Sequence, residues 1–429
     1  MKTVVISTFG SLGDLHPYVA VALELKRRGH RPVIATAGAY REKTDALGLE
    51  LRAVRPDMPS WDRPDEVARL VDEFMDPRKG TERLFRWLNE SLRESYEDVL
   101  AAAAGADLLV THPIPFANPV VAEKTGLPWV SCVLSPISML SVYDPPVPPQ
   151  VPWFYELLRL HPAVGRLMMS AGKLRLRNLM APIYRLRRDV GLGRGRHPLF
   201  EGLHSPALVL ALFSRALAEP QKDWPRNVRV TGFAFYDRRD RAGDAETDDP
   251  ALVEFLDAGP PPVVFTLGSA AVWADRDFYA ESIEAARTLG TRALLLVGDE
   301  ANGPARPLPE GVAAFDYAPY SELFPRAAAV VHHGGVGTTG QTLRAGVPSL
   351  VVPFSHDQFD NGARVARRGA ARTLPRKRYR ADSAARELRP LLNDPAYAER
   401  AAELARLVRG EDGARTACDL IERVLGVGS

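Results

Sequence analysis

The stretch "HHGGVGTTG", residues 332–340, contains four glycines, two threonines and two histidines and directly follows the apolar run "AAAVV". Glycines between a strand and a helix let the backbone approach a ligand closely, and the first N–H groups of a helix attract anions. The stretch therefore predicts a cradle for a phosphate or diphosphate, with a histidine as side-chain partner. The glycine spacing alone also allows a tight strand-to-helix turn that binds nothing.

Two familiar phosphate-binding motifs do not match this stretch. A P-loop ends in Gly-Lys-Ser/Thr, and no lysine is present here. The dinucleotide fingerprint requires G-x-G-x-x-G in the first strand–helix turn of its domain, with an acidic residue about 20 positions later. Residues 335–340 read "GVGTTG", but they do not lie in the first strand–helix turn of their predicted domain, so the predicted cradle belongs to neither class.

A second polar stretch, "PFSHDQFDN" at residues 353–361, ends the next predicted strand and begins the next helix. Asp357 and Gln358 are therefore expected at the same rim as the cradle. A carboxylate beside an amide suits hydrogen bonds to neighbouring sugar hydroxyls. Taken alone, Asp357 is more ordinarily explained as a helix N-cap.

Strands and helices alternate around these stretches over most of the chain. The strands are unbroken apolar runs such as "TVVIS", "ADLLVTH" and "PVVFTLGS", which is typical of parallel sheets covered on both faces. The length of 429 residues suits two domains of about 150–200 residues each. We predict an α/β fold with two Rossmann-like, doubly wound parallel-sheet domains facing a central cleft.

The polar stretch "YDRRDRAGDAETDDP" has no apolar period and marks the linker between the domains. The predicted N-terminal domain covers residues 1–236, with a helical insertion at about 136–200. The predicted linker is 237–250 and the second domain is 251–411. A final helix at 412–429 is expected to pack back on the first domain.

Composition excludes several classes of protein. A net charge of +2 gives no reason to expect nucleic acid as a partner. The longest unbroken apolar run, "ALVLALF", is far shorter than the roughly 20 residues that span a bilayer. The N-terminus lacks the pattern of a signal peptide, and Cys132 and Cys418 are expected to be buried and reduced. These features predict a cytoplasmic protein, monomeric or homodimeric.

The insertion contains eight basic residues and no acidic residue between Glu156 and Asp189. Amphipathic helices with a solvated basic face are the ordinary interpretation. The alternative is a flexible, Met-rich wall that contacts an acceptor, a membrane surface or an anionic lipid, so that membrane contact would be peripheral at most. Trp153 and Phe154, at the start of this region, are candidates for contact with an apolar acceptor.

Two long stretches together, "HHGGVGTTGQTLRAGVPSLVVPFSHDQFDN" and "STFGSLGDLHPYVAVALELKRRGH", resemble the GT-B-fold glycosyltransferases of family 1. The resemblance runs over the whole chain, and the shared order of "LSPISMLS", "PPVPP", "QKDWP", "VTGF" and "FTLGS" brings it near a bacterial branch. That branch includes rhamnolipid rhamnosyltransferases, with sterol glucosyltransferases and natural-product enzymes as relatives.

The resemblance implies an inverting transferase. It would move a sugar from a nucleoside-diphosphate donor, such as UDP-glucose or dTDP-rhamnose, to a hydroxyl of a hydrophobic small-molecule or lipid acceptor. The donor would bind in the second domain and the acceptor in the first. No Asp-x-Asp motif has a plausible strand-end context, and His332, His333, His356 and Asp357 match no standard metal spacing. No cofactor and no metal are therefore expected.

The resemblance also assigns the donor-site residues. His333 matches the histidine that contacts the diphosphate, whereas His332 is expected to be structural. Ser269 matches a serine that reaches a phosphate oxygen, and Tyr317 lies where relatives place a ring against the nucleobase. The remaining matches line the cradle or hold sugar hydroxyls: Gly335, Gly337, Thr338 and Thr339 for the cradle, and Asp357 and Gln358 for the sugar.

The catalytic base is predicted from "FGSLGDLHP", residues 9–17. Many family members have Gly-His-x-x-Pro here, but this chain has Asp14 in place of the histidine, a departure shared with sterol and glycopeptide-type relatives. From the residues alone, Asp14 is also a candidate helix cap, whose pKa the helix dipole would lower. Partial burial would raise that pKa instead.

Two histidines are associated with this base. His16 is the rival base and a candidate for the acceptor side. His112 follows the strand "DLLVT", where plant relatives have an aspartate, so Asp14 and His112 are hypothesised to form a reversed pair that shares the acceptor proton. A histidine that lines the acceptor pocket, or that merely precedes a proline turn, explains His112 as well.

Two other functions fit the same fold. One is a catalytically silent, nucleotide-sugar-binding activator of a partner transferase, against which the presence of Asp14, His333, Asp357 and Gln358 argues. The other is a nucleotide-sugar epimerase, which acts on the donor alone and would not need the insertion at 136–200.

Overall fold

Apolar runs rich in Val, Ile and Leu form two parallel sheets. The computed structural model describes residues 1–57, 64–237, 249–272, 277–299 and 302–427, with the side chains of residues 64, 65, 269 and 270 outside that description. The strands are β1 (Thr3–Ser7), β2 (Arg31–Thr36), β3 (Glu50–Ala53), β4 (Leu108–Thr111), β5 (Trp129–Val133), β6 (Leu208–Ala211), β7 (Val228–Val230), β8 (Val263–Thr266), β9 (Ala293–Leu296), β10 (Val312–Phe315), β11 (Ala329–His332), β12 (Ser349–Val351) and β13 (Ala371–Thr373).

Helices connect these strands. They are α1 (Leu12–Arg27), α2 (Arg41–Ala46), α3 (Pro64–Phe74), α4 (Gly80–Glu90), α5 (Leu92–Ala102), α6 (Ala117–Thr125), α7 (Tyr155–Leu160), α8 (Pro162–Leu176), α9 (Ala181–Asp189), α10 (Pro250–Asp257), α11 (Gly268–Ala271), α12 (Phe278–Leu289), α13 (Tyr320–Leu323), α14 (Val336–Ala345), α15 (Gln358–Arg367), α16 (Ala381–Asn393), α17 (Pro395–Arg409) and α18 (Gly413–Val424). No helix in the described ranges is long and apolar enough to cross a membrane.

The two sheets share one winding pattern. The first has the order β3-β2-β1-β4-β5-β6-β7 and the second β10-β9-β8-β11-β12-β13, and neighbouring strands run parallel in both. The winding direction reverses between β1 and β4 in the first sheet and between β8 and β11 in the second. Ligands of doubly wound sheets bind beside such points, at the carboxyl ends of the strands. The loop that leads to Asp14 follows β1, and the glycine-rich stretch follows β11.

The chain divides into two compact units, and each contains more than one segment. The first comprises Met1–Pro64, Lys79–Tyr236 and Glu411–Ser429, and the second Asp65–Arg78 and Asp237–Gly410. The sequence assigned residues 1–236 to one continuous domain, whereas Asp65–Arg78 belongs to the second unit. The predicted linker falls largely on residues 238–248, which lie outside the described residues.

The last helix, α18, packs against α1 in the first unit. Arg28, just after α1, places Nη1 2.6 Å from Asp419 and 2.7 Å from Glu422, while its Nε lies 2.8 Å from Glu24. Close backbone packing occurs at the start of α18, because a Cβ on Gly413 would lie only 2.4 Å from the carbonyl oxygen of Gly232. Only glycine fits at that contact.

Both cysteines lie in the apolar interior of the first unit. Cys132 on β5 and Cys418 on α18 are buried and form no disulfide, as the sequence predicts. Burial raises the pKa of both thiols, so the thiol form dominates at neutral pH.

Candidate functional site

The helix that follows β11 begins without a side-chain cap. Gly335 is the N-cap of α14, and the first bond into the helix is donated by the backbone N–H of Thr339 to the carbonyl oxygen of Gly335, at 2.9 Å. Within the described ranges, the N–H groups of Val336, Gly337 and Thr338 have no acceptor. Three convergent N–H groups at the positive end of a helix dipole form an anion site.

Two glycines leave space for the His333 ring beside this helix start. A Cβ on Gly268 would lie 2.6 Å from its Cε1 atom, and a Cβ on Gly335 would lie 2.3 Å from its Nε2 atom. Both positions must therefore be glycine for the ring to fit. Gly268 also has a φ of +68°, a conformation that few other residues adopt.

The His333 ring has unused hydrogen-bonding capacity. It is buried, and its Nδ1 atom has no partner among the described residues. Burial lowers the pKa of His333 to about 4, so the ring is neutral at pH 7 and carries one N–H and one acceptor nitrogen. Buried polar atoms are nearly always paired, so an unpaired ring beside an anion site indicates a ligand contact.

His332 has a different surrounding from its neighbour. It is fully buried, and its Nδ1 atom accepts the backbone N–H of Gly334 at 3.1 Å, within the turn itself. Burial and, to a smaller extent, the charge of His333 lower its pKa to about 3. The ring therefore shapes the turn, in keeping with the structural role expected from the sequence.

The two threonine hydroxyls that were predicted to line the cradle have different surroundings. Thr339 is completely buried and its hydroxyl has no partner in the described part of the chain, while the hydroxyl of Thr338 bonds to Tyr320. Tyr320 is also 3.0 Å from the hydroxyl of Thr266. Because α14 begins at Val336, both threonines lie in its first turn with buried side chains, and a role for their hydroxyls in the cradle stays a prediction.

Gln358 was expected to hold a sugar, but its side chain supports the loop that precedes it. It is buried, and its Oε1 atom accepts the backbone N–H groups of Phe354 at 2.8 Å and Ser355 at 3.1 Å. Its Nε2 atom lies 3.8 Å from the sulfur of Met75. The amide oxygen is therefore committed to the turn.

Asp357 lies at the N-cap of α15 and remains half-buried at the rim. Its Oδ2 atom accepts a hydrogen bond of 2.8 Å from Nδ2 of Asn361, which also donates to the carbonyl oxygen of Gly334 at 3.0 Å. Asn361 thus joins the two stretches that the sequence singled out. Sequence reasoning missed it, although its spacing of four from Asp357 places both on one helix face.

The loop before α15 is supported by the segment Asp65–Arg78. The Ser355 hydroxyl lies 3.3 Å from the carbonyl oxygen of Asp76, and His356 bonds to the Phe74 backbone. His356 has a φ of 54°, which is uncommon for a residue other than glycine, and burial lowers its pKa to about 4. A strained residue held by a remote segment indicates that the position of Asp357 is strongly determined.

Ser269 and Tyr317, the other two residues predicted at the donor site, add little to the geometry of the cradle. Ser269 lies in α11, but its side chain is outside the described residues. Tyr317 follows the edge strand β10 and is 37% exposed. Three strand spacings of about 4.8 Å separate β10 from β11, which places the start of the Tyr317 loop about 14 Å across the sheet from the cradle.

Asp14 of the first unit is both a helix cap and a perturbed acid. It accepts hydrogen bonds at its Oδ2 atom from the Ser11 backbone at 2.9 Å and the Ser11 hydroxyl at 3.2 Å. Gly10, with a φ of +130°, provides the space for this carboxylate, because a Cβ there would lie 2.2 Å from the Oδ2 atom. Burial raises the pKa of Asp14 to about 6 against the lowering effect of the Ser11 bonds. The expected lowering by the helix dipole is therefore outweighed.

His112 follows β4, on the strand next to β1, so the sheet places it at the same edge as Asp14. Its Nδ1 atom accepts the backbone N–H of Ile114 at 3.3 Å, and burial lowers its pKa to about 3. Its ring meets Tyr18 edge-on with centroids 6.0 Å apart. Among the described residues, no hydrogen bond joins Asp14 to His112, so the two members of the hypothesised pair are not bonded to each other.

The acceptor-side candidates lie in two places. The His16 ring meets Tyr236 edge-on at 5.1 Å, and its Nε2 atom is buried without a partner among the described residues. Burial, helped by the charge of Lys43, lowers the pKa of His16 to about 3. Trp153 is 74% exposed and packs edge-on against half-buried Phe154, with centroids 5.7 Å apart.

A search of the described residues finds no cluster of three or more His, Cys, Asp or Glu side chains that could hold a metal ion.

Comparison with known proteins adds independent evidence. Residues 283–412 match the family model described as erythromycin biosynthesis protein CIII-like, C-terminal domain. The chain is 33% identical over 436 residues to O-mycaminosyltylonolide 6-deoxyallosyltransferase from Streptomyces fradiae, and the match covers 98% of this chain and 96% of the relative.

Solved structures share the fold over the full length. The glycotransferase of kitacinnamycin superposes with a TM-score of 0.72 at 23% identity, covering 99% of both chains. The spinosyn rhamnosyltransferase SpnG complexed with thymidine diphosphate superposes with a TM-score of 0.66 at 18% identity, covering 98% of this chain and 100% of that chain. Both sheets of the present chain are accounted for by this fold.

The burial of His332 predicts a specific dependence of stability on pH. The unfolded chain takes up a proton on this residue near pH 6.5, whereas the folded chain stays neutral down to about pH 3. Stability is therefore full above pH 6.5 and decreases as the pH falls. His332→Asn, which keeps an acceptor for Gly334, should reduce the slope of unfolding free energy against pH by about 1.4 kcal/mol per pH unit between pH 4 and 6.

Urea unfolding at a series of pH values measures this slope. His161→Asn is the matched control, because His161 is exposed and caps α8 with its side chain, a role that asparagine retains. An unchanged slope in His332→Asn would show that His332 is accessible to protons in the folded protein.

Proposed function

The chain belongs to the GT-B-fold glycosyltransferases of family 1, and from this premise we propose that it transfers a sugar, with inversion, from a nucleoside diphosphate to a hydroxyl of a hydrophobic small molecule. The observation that carries the proposal is the uncapped start of α14 beside His333. Three free N–H groups and a neutral imidazole N–H suit the oxygens of a diphosphate. A diphosphate is the leaving group of such a reaction.

The donor that we propose is a dTDP-linked deoxyhexose. Support comes from the name of the Streptomyces fradiae relative, a 6-deoxyallosyltransferase, and from the thymidine diphosphate in the SpnG structure. The acceptor follows from the same relative, which acts on O-mycaminosyltylonolide. A natural product with an apolar body and a free hydroxyl is the proposed acceptor class, and UDP-glucose is the reference donor for the test.

In the proposed reaction the acceptor oxygen attacks the anomeric carbon as the bond from that carbon to the diphosphate breaks. The diphosphate leaves with the bonding electron pair, and the N–H groups of α14 and His333 stabilise its growing negative charge. The acceptor proton passes to the carboxylate of Asp14. With a pKa of about 6, Asp14 is a stronger base than an ordinary aspartate and is still ionised at pH 7.

The remaining residues position these groups. Ser11 orients the Asp14 carboxylate through its two hydrogen bonds. Asn361 holds Asp357 beside the cradle, where the Asp357 carboxylate is suited to accept a hydrogen bond from a sugar hydroxyl. We also propose that catalysis needs no metal, because the N–H groups of the cradle provide the positive electrostatic potential that a metal ion would supply.

The experiment that tests the proposal is a donor panel. The chain is incubated with dTDP-deoxyhexoses and UDP-glucose and a mixture of hydrophobic acceptors, and products are identified by mass spectrometry. We expect one acceptor to gain one sugar residue, faster with a dTDP donor than with UDP-glucose, and at an unchanged rate in EDTA.

Other outcomes of the panel identify the alternatives. A donor that binds but is never transferred indicates a silent activator, and a donor isomerised without an acceptor indicates an epimerase. A rate lost in EDTA and restored by Mg²⁺ contradicts metal independence.

A matched pair of histidine variants separates catalysis from stability. We expect His333→Ala to lower kcat/KM by about 100-fold or more, because it removes a donor to the leaving diphosphate. His332→Ala should keep most of the activity but lower the unfolding temperature, because it leaves a cavity in a fully buried turn. Steady-state kinetics and thermal unfolding of both variants distinguish the roles, and equal kinetic losses would refute them.

The pKa of Asp14 predicts the acid limb of the pH profile. The base must be ionised, so kcat/KM should rise with pH and level off above about pH 6. Asp14→Asn should lower kcat/KM by about 100-fold or more. Ser11→Ala removes a hydrogen bond to the carboxylate, which should raise the pKa and move the limb to higher pH. A limb that stays in place would show that another group titrates.

His112→Ala tests the hypothesised pair in the same assay. A shared acceptor proton requires a loss comparable to that of Asp14→Asn. Full turnover in His112→Ala would leave Asp14 as the sole base, which the absence of a direct hydrogen bond between the two already favours.

A further inference from the structure

Helix α8 of the first unit presents leucines to solvent. Leu160, at the end of α7, and Leu167 and Leu174, on α8, are 73–74% exposed, the same fraction as Trp153. These four residues recur every seven positions, so those on the helix share one face. Val164 and Ala171 fill the positions between the leucines. We call Leu160, Leu167 and Leu174 the leucine stripe.

The opposite face of α8 attaches the helix to the rest of the unit. A Cβ on Gly165 would lie 3.0 Å from the side chain of Val142, and one on Gly172 would lie 3.5 Å from the ring of Phe200. Lys173 pairs with Glu201 and lies 5.4 Å from the centroid of the Phe200 ring. The inner face is therefore packed through small residues, and the leucine stripe faces outward because the helix is fixed in that orientation.

Basic side chains flank the stripe on both sides. At about 100° per residue, Arg166 and Arg175 lie on opposite flanks of Leu167 and Leu174, and Arg177 lies near the end of the helix. The side chains of these three arginines make no hydrogen bond and no close ion pair with any residue in the described ranges, although the charge of Arg175 acts on Glu82 of α4. The sequence has no acidic residue between Glu156 and Asp189.

From this arrangement we propose that α8 is a membrane-surface helix, which lies in the plane of an anionic lipid bilayer. The leucine stripe would enter the boundary between headgroups and acyl chains, and the flanking arginines would contact lipid phosphates. Trp153 would lie at the same level, where aromatic side chains are favoured.

The charge of α8 favours an anionic bilayer over a second copy of the chain or a partner protein. A second copy of the chain paired along the same stripe would bring arginine against arginine, without an acidic residue on α8 to compensate. A partner protein would need an apolar face with acidic flanks. An anionic bilayer supplies both the apolar layer and the negative charge, and the binding does not depend on the proposed sugar transfer.

Co-sedimentation of the full chain with lipid vesicles tests the proposal. We expect binding to vesicles of phosphatidylcholine mixed with phosphatidylglycerol, weaker binding to phosphatidylcholine alone, and a decrease with added salt. The triple variant Leu160→Gln, Leu167→Gln, Leu174→Gln should lower the partition coefficient on the order of tenfold or more. Arg166→Gln, Arg175→Gln, Arg177→Gln should remove the preference for phosphatidylglycerol.

Leu407→Gln is the matched control, because Leu407 is 48% exposed on α17 of the other unit, and it should bind vesicles like the unchanged chain. Far-UV circular dichroism and thermal unfolding establish that the variants, all at exposed positions, are folded. No binding to phosphatidylglycerol vesicles, or binding that the leucine variant leaves unchanged, overturns the proposal. Dimers in analytical ultracentrifugation that the leucine variant abolishes also overturn it, in favour of a second copy.

Discussion

The proposed donor site depends on one unmet requirement of the backbone: the N–H groups at the start of α14 have no acceptor in the part of the chain that the structure describes. Gly335 leaves the helix end open, and Gly268 and Gly335 together make room for the ring of His333 beside it. Asn361 donates hydrogen bonds both to the carbonyl oxygen of Gly334 and to Asp357, so it connects the start of α15 to the glycine-rich turn. Since glycine is required at both positions around the ring, the geometry is set by backbone rather than by flexible side chains.

The architecture was predictable because it depends on local patterns. Unbroken apolar runs such as "TVVIS" and "PVVFTLGS" indicate buried parallel strands. The glycines of residues 334–337 indicate a strand-to-helix turn. The different surroundings of His332 and His333 agree with the resemblance, which assigned only His333 to the donor, and the contact of His333 with a diphosphate stays a prediction. Burial of both cysteines follows from their apolar neighbours.

Side-chain direction and remote packing were not predictable in this way. The side chains of Thr338 and Thr339 are buried because both residues lie within the first turn of α14, which begins at Val336, and such boundaries depend on the surrounding fold. Gln358 is drawn into its own turn by two backbone N–H groups. Burial raises the pKa of Asp14 and the Ser11 hydrogen bonds lower it. Which effect dominates depends on the three-dimensional surroundings of the carboxyl group, and no sequence pattern shows it.

The support of the loop before α15 by Asp65–Arg78 has a consequence for recombining these enzymes. The chain passes between its two units near residues 64, 78, 236 and 410. A chimera that joins two homologues at the central linker would therefore keep the loop of one parent and the supporting segment of the other. The position of the loop before α15 in such hybrids would depend on whether Met75 and Asp76 match Gln358 and Ser355, and transplanting Asp65–Arg78 with the second unit would keep these partners together.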